Sequence, residues 1–215
     1  MLKYWFTMVL FLILVGCALP PEDYRDPYPA PNNVVMAFES AWESMDPETY
    51  RNRILYDHDE VTSDGEQYAS FEFYFLEPHD THGASWSFQD ELEHVEHLFS
   101  GEPSSDGSLG SVELIELELS PITEWTELEG ANIEGDPFPS GTLFRRFETD
   151  LSLILDADSG SEDIDALIVG DIIEFYVIPV DGIDGQGYRL WKWMDLSYDF
   201  RGTTQISWGD IKSAW

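Results

Sequence analysis

Ile172-Ile173-Glu174-Phe175-Tyr176-Val177-Ile178-Pro179-Val180 and, beyond a glycine-rich turn at Asp181 to Gly187, Tyr188-Arg189-Leu190-Trp191-Lys192-Trp193-Met194-Asp195-Leu196 decide the fold of this chain. From Leu167 to Val180 the run is apolar at odd and even positions alike, the pattern of a strand covered on two faces. In the second run Trp191, Trp193 and Asp195 share one parity and Tyr188, Leu190 and Met194 the other, so a further strand is predicted. Working back toward the N-terminus, Leu143, Phe147, Leu151, Leu153 and Leu155 alternate over another long strand. Val112 and Leu114 lie on one parity and Ile115, Leu117 and Leu119 on the other, which predicts a bulge or sharp bend near 114–115.

Ahead of these strands the period changes. Val34, Phe38, Ala41, Trp42 and Met45 follow three-and-four spacing, with Glu39 and Glu43 on the opposite side, and predict a helix over 34–45 capped by Asn32 or Asn33. Asp46-Pro47 reads as the cap and first position of a second, short helix with Tyr50 and Ile54 on its inner face. Phe71, Phe73 and Phe75 then share one face of a strand. Residues 86–99 return to helical spacing through Leu92, Val95, Leu98 and Phe99, and stop at Gly101. Ser207-Trp208-Gly209-Asp210 reads as a capping box opening a last helical turn. The expected fold class is α+β, with N-terminal helices packed on a long, bent antiparallel sheet.

In this arrangement the chain resembles the NTF2-like superfamily (SnoaL-like, cystatin-type cone) and, within it, bacterial lipoproteins. The residues that carry the resemblance are Val34 to Met45 running into Asp46-Pro47-Glu48-Thr49-Tyr50, then Trp86, Glu91 and Leu98-Phe99. Trp191-Lys192-Trp193-Met194-Asp195 and Ser207-Trp208-Gly209-Asp210-Ile211-Lys212 complete it. The match spans most of 32–215 loosely, and the acidic insert at 126–140 and Asp57-His58-Asp59 depart from it. It implies a cone of helices and sheet. In catalytic branches such a cone holds an isomerase or dehydratase carboxylate.

The N-terminus supplies a second resemblance. Lys3 precedes an apolar core from Trp5 to Val15, too short for a membrane span and suited to a secretory signal. Leu14-Val15-Gly16-Cys17 resembles the bacterial lipobox, which implies cleavage before Cys17 and lipid on its sulfur. Two or more acyl chains anchor stably, so the membrane is a partner through Cys17. Ala18, rather than Asp, follows the enteric sorting pattern for the outer membrane. Residues 1–16 are therefore the signal, 17–31 the lipidated cysteine and a proline-rich tether, and 32–215 the domain. Extended at about 3.1 Å per residue, the tether would reach on the order of 40 Å.

Composition narrows the function. The chain has 215 residues, 43 acidic against 10 basic, and a formal net charge of −33. Such a surface repels nucleic acid and anionic lipid headgroups. Only Lys3, Lys192 and Lys212 are lysines, and acidity with scarce lysine points to a saline habitat, with cation binding as the rival account. Cys17 is the single cysteine, so packing alone holds the fold, and no Cys–His or Ser–His–Asp nucleophile is readable.

Three readings of the chemistry follow. The first is a non-catalytic module binding a small apolar ligand or an envelope protein, with Trp42, Phe71, Phe73, Phe75, Trp191 and Trp193 as the pocket-lining candidates. Aromatics at these periods are more often core. The second is an isomerase- or dehydratase-like enzyme using a desolvated carboxylate from Asp171, Glu174 or Asp195. The third is divalent-metal binding through His94 and His97, three apart on one helix with His79 and His82 in a nearby loop, or through Asp156 and Asp158. The metal spacings are incomplete, and solvated histidines and a hairpin loop are the favoured alternatives. No cofactor is implied. The apolar outer parity of 167–180 makes a homodimer through that face plausible.

Overall fold

The computed structural model describes residues 26–79, 83–128, 130, 132–133, 136–156, 159–160, 164–183, 185–196 and 208–215. The signal, Cys17, most of the tether, His82 and Asp158 lie outside them. Helix α1 spans Pro31–Glu43 and buries Val34, Val35, Phe38, Ala41 and Trp42. It differs from expectation at its start: Ala30 is the N-cap, Pro31 occupies the first turn, and no side chain caps it. Asn32 instead accepts from the Trp125 indole at 2.7 Å and from Arg145 at 3.1 Å. Each fully buried large side chain is worth about 1.5–3 kcal/mol, so this face, more than a cap, holds α1 in place.

Asp46 accepts from the Thr49 amide at 2.9 Å and opens α2, Pro47–Thr49, as its sequence predicts. The chain continues as a π-turn over Tyr50–Ile54, which buries Tyr50 and Ile54. Helix α3, Phe88–Phe99, begins on a reciprocal capping box between Ser87 and Asp90. Helix α4, Trp208–Ala214, closes the chain.

The main sheet has the order β2-β1-β9-β8-β7-β3, with β4 pairing β7. Its strands are β1 Glu72–His79, β2 Gly83–Ser87, β3 Val112–Pro121, β4 Thr126–Glu127, β7 Leu143–Leu155, β8 Ala166–Gly182 and β9 Gly185–Asp195; β5 Asn132–Ile133 and β6 Asp136–Pro137 pair separately. The register of β3 on β7 shifts between Val112 and Leu114, where the parity switch predicted it. The sheet is mixed, not wholly antiparallel, because β1 runs parallel to β9 with Phe73 opposite Trp193. Strand β2, a hairpin partner of β1 that places Trp86 opposite Phe73, has no sequence alternation strong enough to announce it.

One irregularity divides the aromatics. On β8 Tyr176 faces Lys192 and Val177 faces Leu190, so Trp191 is an extra residue on β9. A bulge of this kind reverses the alternation. Trp193 therefore joins the helix-covered core with Phe175, whereas Trp191 packs with Tyr56, Ile178 and Val180 on the other face. Tyr68 and Phe138 cover that second cluster. Around Ile178 and Val180 the apolar outer parity of β8 is thus covered by the chain itself, whereas Ile168 on the same parity is 51% exposed.

The tether also ends earlier than residue 31. Tyr28 and Tyr188 exchange backbone hydrogen bonds of 3.2 and 2.7 Å. Pro27 lies so close to Gly182 and Gly187 that a Cβ on either would fall within 2.7 Å of its ring. Beneath it the fully buried Arg189 pairs with Glu60 at 2.9 Å and also donates to the Arg53 carbonyl. Asp26 to Ala30 thus belong to the folded body.

Candidate functional site

The helix-covered face of the sheet carries a dense aromatic core. Phe38 contacts Trp42, Tyr50, Phe175 and Trp193 with ring centroids 4.9–5.8 Å apart. Trp208 meets Trp42 at 5.0 Å and Trp193 at 4.7 Å, both edge to face. Among these rings lies an ionic group that periodicity hides. Glu91 on α3 and Lys212 on α4 form a salt bridge in which both side chains are wholly buried. Glu91 accepts from Lys212 on Oε2 and from the Tyr50 hydroxyl on Oε1, the latter at 2.7 Å.

Four further elements complete the surroundings. The Lys212 Nζ sits 4.2 Å from the Phe73 ring centroid, 4.6 Å from Trp193 and 5.2 Å from Trp86, contributed by β1, β9 and β2. Tyr50 comes from the π-turn and Asp195 from the end of β9. Burial lowers the pKa of the Lys212 ammonium, opposed by the carboxylates of Glu91 and Asp195. Burial first, then Glu91, holds the Tyr50 phenol well above its ordinary value. The arrangement is an aromatic box with an anionic floor, closed by α4, whose Trp208, Ile211 and Trp215 are buried with Lys212.

The carboxylate candidates separate. Asp195, 3% exposed, faces the box through Lys212. Asp171 is buried on the same side of β8, opposite Thr149, and accepts from the Ile172 amide at 2.8 Å. Glu174 projects to the other face, where it accepts from Arg146 and from the Tyr176 hydroxyl at 2.6 Å. Three candidates thus stand in three environments.

The pocket-lining set also divides. Phe73 and Trp193 form two walls of the box, Phe75 stacks edge-on against Phe73 and Trp86 at 4.8 and 5.7 Å, and Trp42 backs Trp208. Phe71 is wholly buried in the same core. The bulge removes Trp191, which instead donates its indole N–H to the Ala69 carbonyl at 2.9 Å.

The histidines are not the solvated pair expected from the helix. His94 is buried against the Trp86 ring at 5.4 Å. His97 places Nδ1 2.7 Å from the Trp215 carbonyl oxygen and Nε2 3.1 Å from that of Pro103. Their surroundings differ because His94 falls with Glu91, Leu92, Val95, Leu98 and Phe99 among the buried residues of α3, whereas His97 lies in the last turn, against the end of the chain. His79 lies on β1. Asp156 belongs to a hairpin turn closed by Ser159, whose amide and hydroxyl both donate to its carbonyl. Among the described residues the one group of three metal-capable side chains is Asp57, His58 and Asp59, with His58 and Asp59 exposed.

Sequence could have flagged the buried pair. Glu91 falls on the stripe of Val95 and Leu98, and Lys212 falls four residues after Trp208 and three before Trp215, so each charge occupies an apolar helical position. Lys192 repeats the theme on the outer face: it donates to Glu72 at 2.9 Å and to the Tyr74 hydroxyl at 2.7 Å, over the rings of Trp191 and Tyr74.

No family model matches the sequence, and no curated protein matches it. Solved structures do. An NTF2-like superfamily protein from Salmonella enterica is 9% identical, with a TM-score of 0.44 over 80% of this chain and 90% of that one. A candidate dehydratase of the NTF2-like family from Streptomyces avermitilis is 16% identical, with a TM-score of 0.39 over 76% and 90%. An uncharacterised protein with a cystatin-like fold from Caulobacter vibrioides is 9% identical, with a TM-score of 0.36 over 76% and 84%. The chain is an α+β protein with helices packed on a seven-stranded mixed sheet, and its structural neighbours include NTF2-like superfamily proteins.

Proposed function

We propose that this chain is a lipid-anchored, non-catalytic binding module of the bacterial cell envelope, with the aromatic box between α3, α4 and the sheet as its recognition site. The observation that supports the reading is the state of the box. Both oxygens of Glu91 are engaged, one by Tyr50 and one by Lys212. Proton abstraction by an isomerase or dehydratase needs a carboxylate oxygen within hydrogen-bond reach of the substrate proton. Here the desolvated carboxylate is committed to a cation, and Asp195 faces the same cation. Rings and a fixed charge of this kind supply recognition rather than acid–base chemistry.

The test is the melting temperature of the full lipoprotein in detergent, titrated with small apolar and organic-cation ligands at constant ionic strength. A ligand of the native state raises it in a saturating way, whereas screening of the acidic surface follows ionic strength. Saturable stabilisation by one ligand class supports a binding module. A panel that stabilises only as NaCl does contradicts it.

A further inference from the structure

We infer that the aromatic box is a recognition site for a primary alkylammonium group, and that Lys212 is its intramolecular occupant, carried in on α4. The inference rests on the reading of the domain as a binding module and names the ligand class of that site. Three rings, Phe73, Trp193 and Trp86, surround the Lys212 nitrogen at 4.2, 4.6 and 5.2 Å. Ring faces attract a cation within about 6 Å, most strongly where water is excluded. Glu91 adds a hydrogen-bond acceptor that a quaternary ammonium could not use, and Tyr50 fixes that acceptor from behind. Asp195 supplies a second negative charge. Every one of these side chains is at least nine-tenths buried.

The groups that surround the Lys212 nitrogen come from other elements. The walls come from β1, β2 and β9 and the floor from α3 and the π-turn, and the seven-residue α4 carries the lysine in together with Trp208, which packs behind Trp193. Its occupant reproduces what a free ligand would present, a methylene-linked NH3⁺ group. A tethered occupant competes at an effective concentration on the order of millimolar. Free amines therefore bind the native protein weakly and bind tightly once the tethered one is removed.

The experiment compares the wild-type protein, Lys212→Ala and the double variant Glu91→Gln/Lys212→Ala, each as full chain in detergent; alanine, unlike methionine, vacates the space that the lysine fills. Methylammonium chloride is titrated against NaCl at equal ionic strength, with tryptophan fluorescence and melting temperature as readouts. Lys212→Ala is expected to bind methylammonium at least about tenfold more tightly than wild type, since the competing occupant is gone. Should Lys212→Ala fail to fold alone, methylammonium is expected to restore its native fluorescence and NaCl is not. The double variant, lacking the anionic floor, is expected to show neither response. The inference is overturned if Lys212→Ala, folded or unfolded, responds to methylammonium no more than to NaCl, or if the double variant responds equally. Saturable binding of an uncharged apolar ligand in that case would keep the binding-module reading and discard the ammonium one.

Discussion

Replacing Glu91 by Gln removes one charge from a pair with no exposed surface and leaves the shape of the side chain and the Tyr50 hydrogen bond nearly unchanged. The Lys212 ammonium then lies among Phe73, Trp86 and Trp193 with its nearest counter-charge gone. Breaking one side of a buried pair costs about 3–5 kcal/mol, because the remaining ion is left desolvated. Against a typical total of about 5–15 kcal/mol, that is a large fraction of stability. Adding Lys212→Met to Glu91→Gln removes the stranded charge and is expected to recover most of the loss, since a buried pair replaced by apolar groups of similar volume is often neutral. The assay is urea denaturation of the full chain, with the midpoint reporting stability at unchanged slope. The non-additivity of the double-mutant cycle then isolates the pair. A Glu91→Gln cost below about 1 kcal/mol, with no recovery from the second substitution, would refute the assignment of a buried, charged pair.

Three other expectations follow from the same structure. A Cβ on Gly110 would lie 1.9 Å from the Asp156 carbonyl oxygen; backbone cannot yield cheaply, so Gly110→Ala is expected to cost about 1–3 kcal/mol in a denaturation midpoint, and an unchanged midpoint would place that hairpin elsewhere. Asp46→Ala removes the acceptor for the Thr49 amide and should cost about 1 kcal/mol, recovered in part by Asp46→Asn. The third concerns alkaline pH. Burial raises Tyr28, Tyr50, Tyr56, Tyr68 and Tyr176 above 10.0, Tyr68 to about 12. Above pH 10 the unfolded chain therefore loses protons that the fold retains, and stability falls as pH rises. Lys212, lowered from 10.5 by burial, acts in reverse: stability rises with pH between its folded value and 10.5. With five phenols against one ammonium, a melting curve series should decline above pH 10, and a continued rise there would contradict the buried tyrosines.

Much of the architecture is legible in the sequence because it is local. The period of α1, the Asp46-Pro47 start, the α3 stripe, the parity switch near 114 and the long strands β7, β8 and β9 all appear where side-chain spacing places them. What spacing cannot carry is pairing. The parallel contact of β1 with β9 joins residues about 120 apart in sequence, and nothing in either strand encodes it. The bulge at Trp191 has no composition of its own. Without it, Trp191 and Trp193 share a face, and the candidate pocket set followed from that assumption. The central site escaped for the same reason: Glu91 and Lys212 stand 121 residues apart. Each looks like an ordinary solvated charge until the stripe on which it falls is traced. Asp195 was legible as a cone carboxylate, but the cation it faces was not.

Amide hydrogen exchange across α4 tests the central claim most directly, with the wild-type full chain in detergent compared in methylammonium chloride and in NaCl at equal ionic strength. If Lys212 is a displaceable occupant of an ammonium site, methylammonium should speed exchange of the amides from Trp208 to Ala214 in a saturating manner, while those of β8 keep their protection. Equal exchange in the two salts would mean that the pair of Glu91 and Lys212 is a structural lock and the box no binding site.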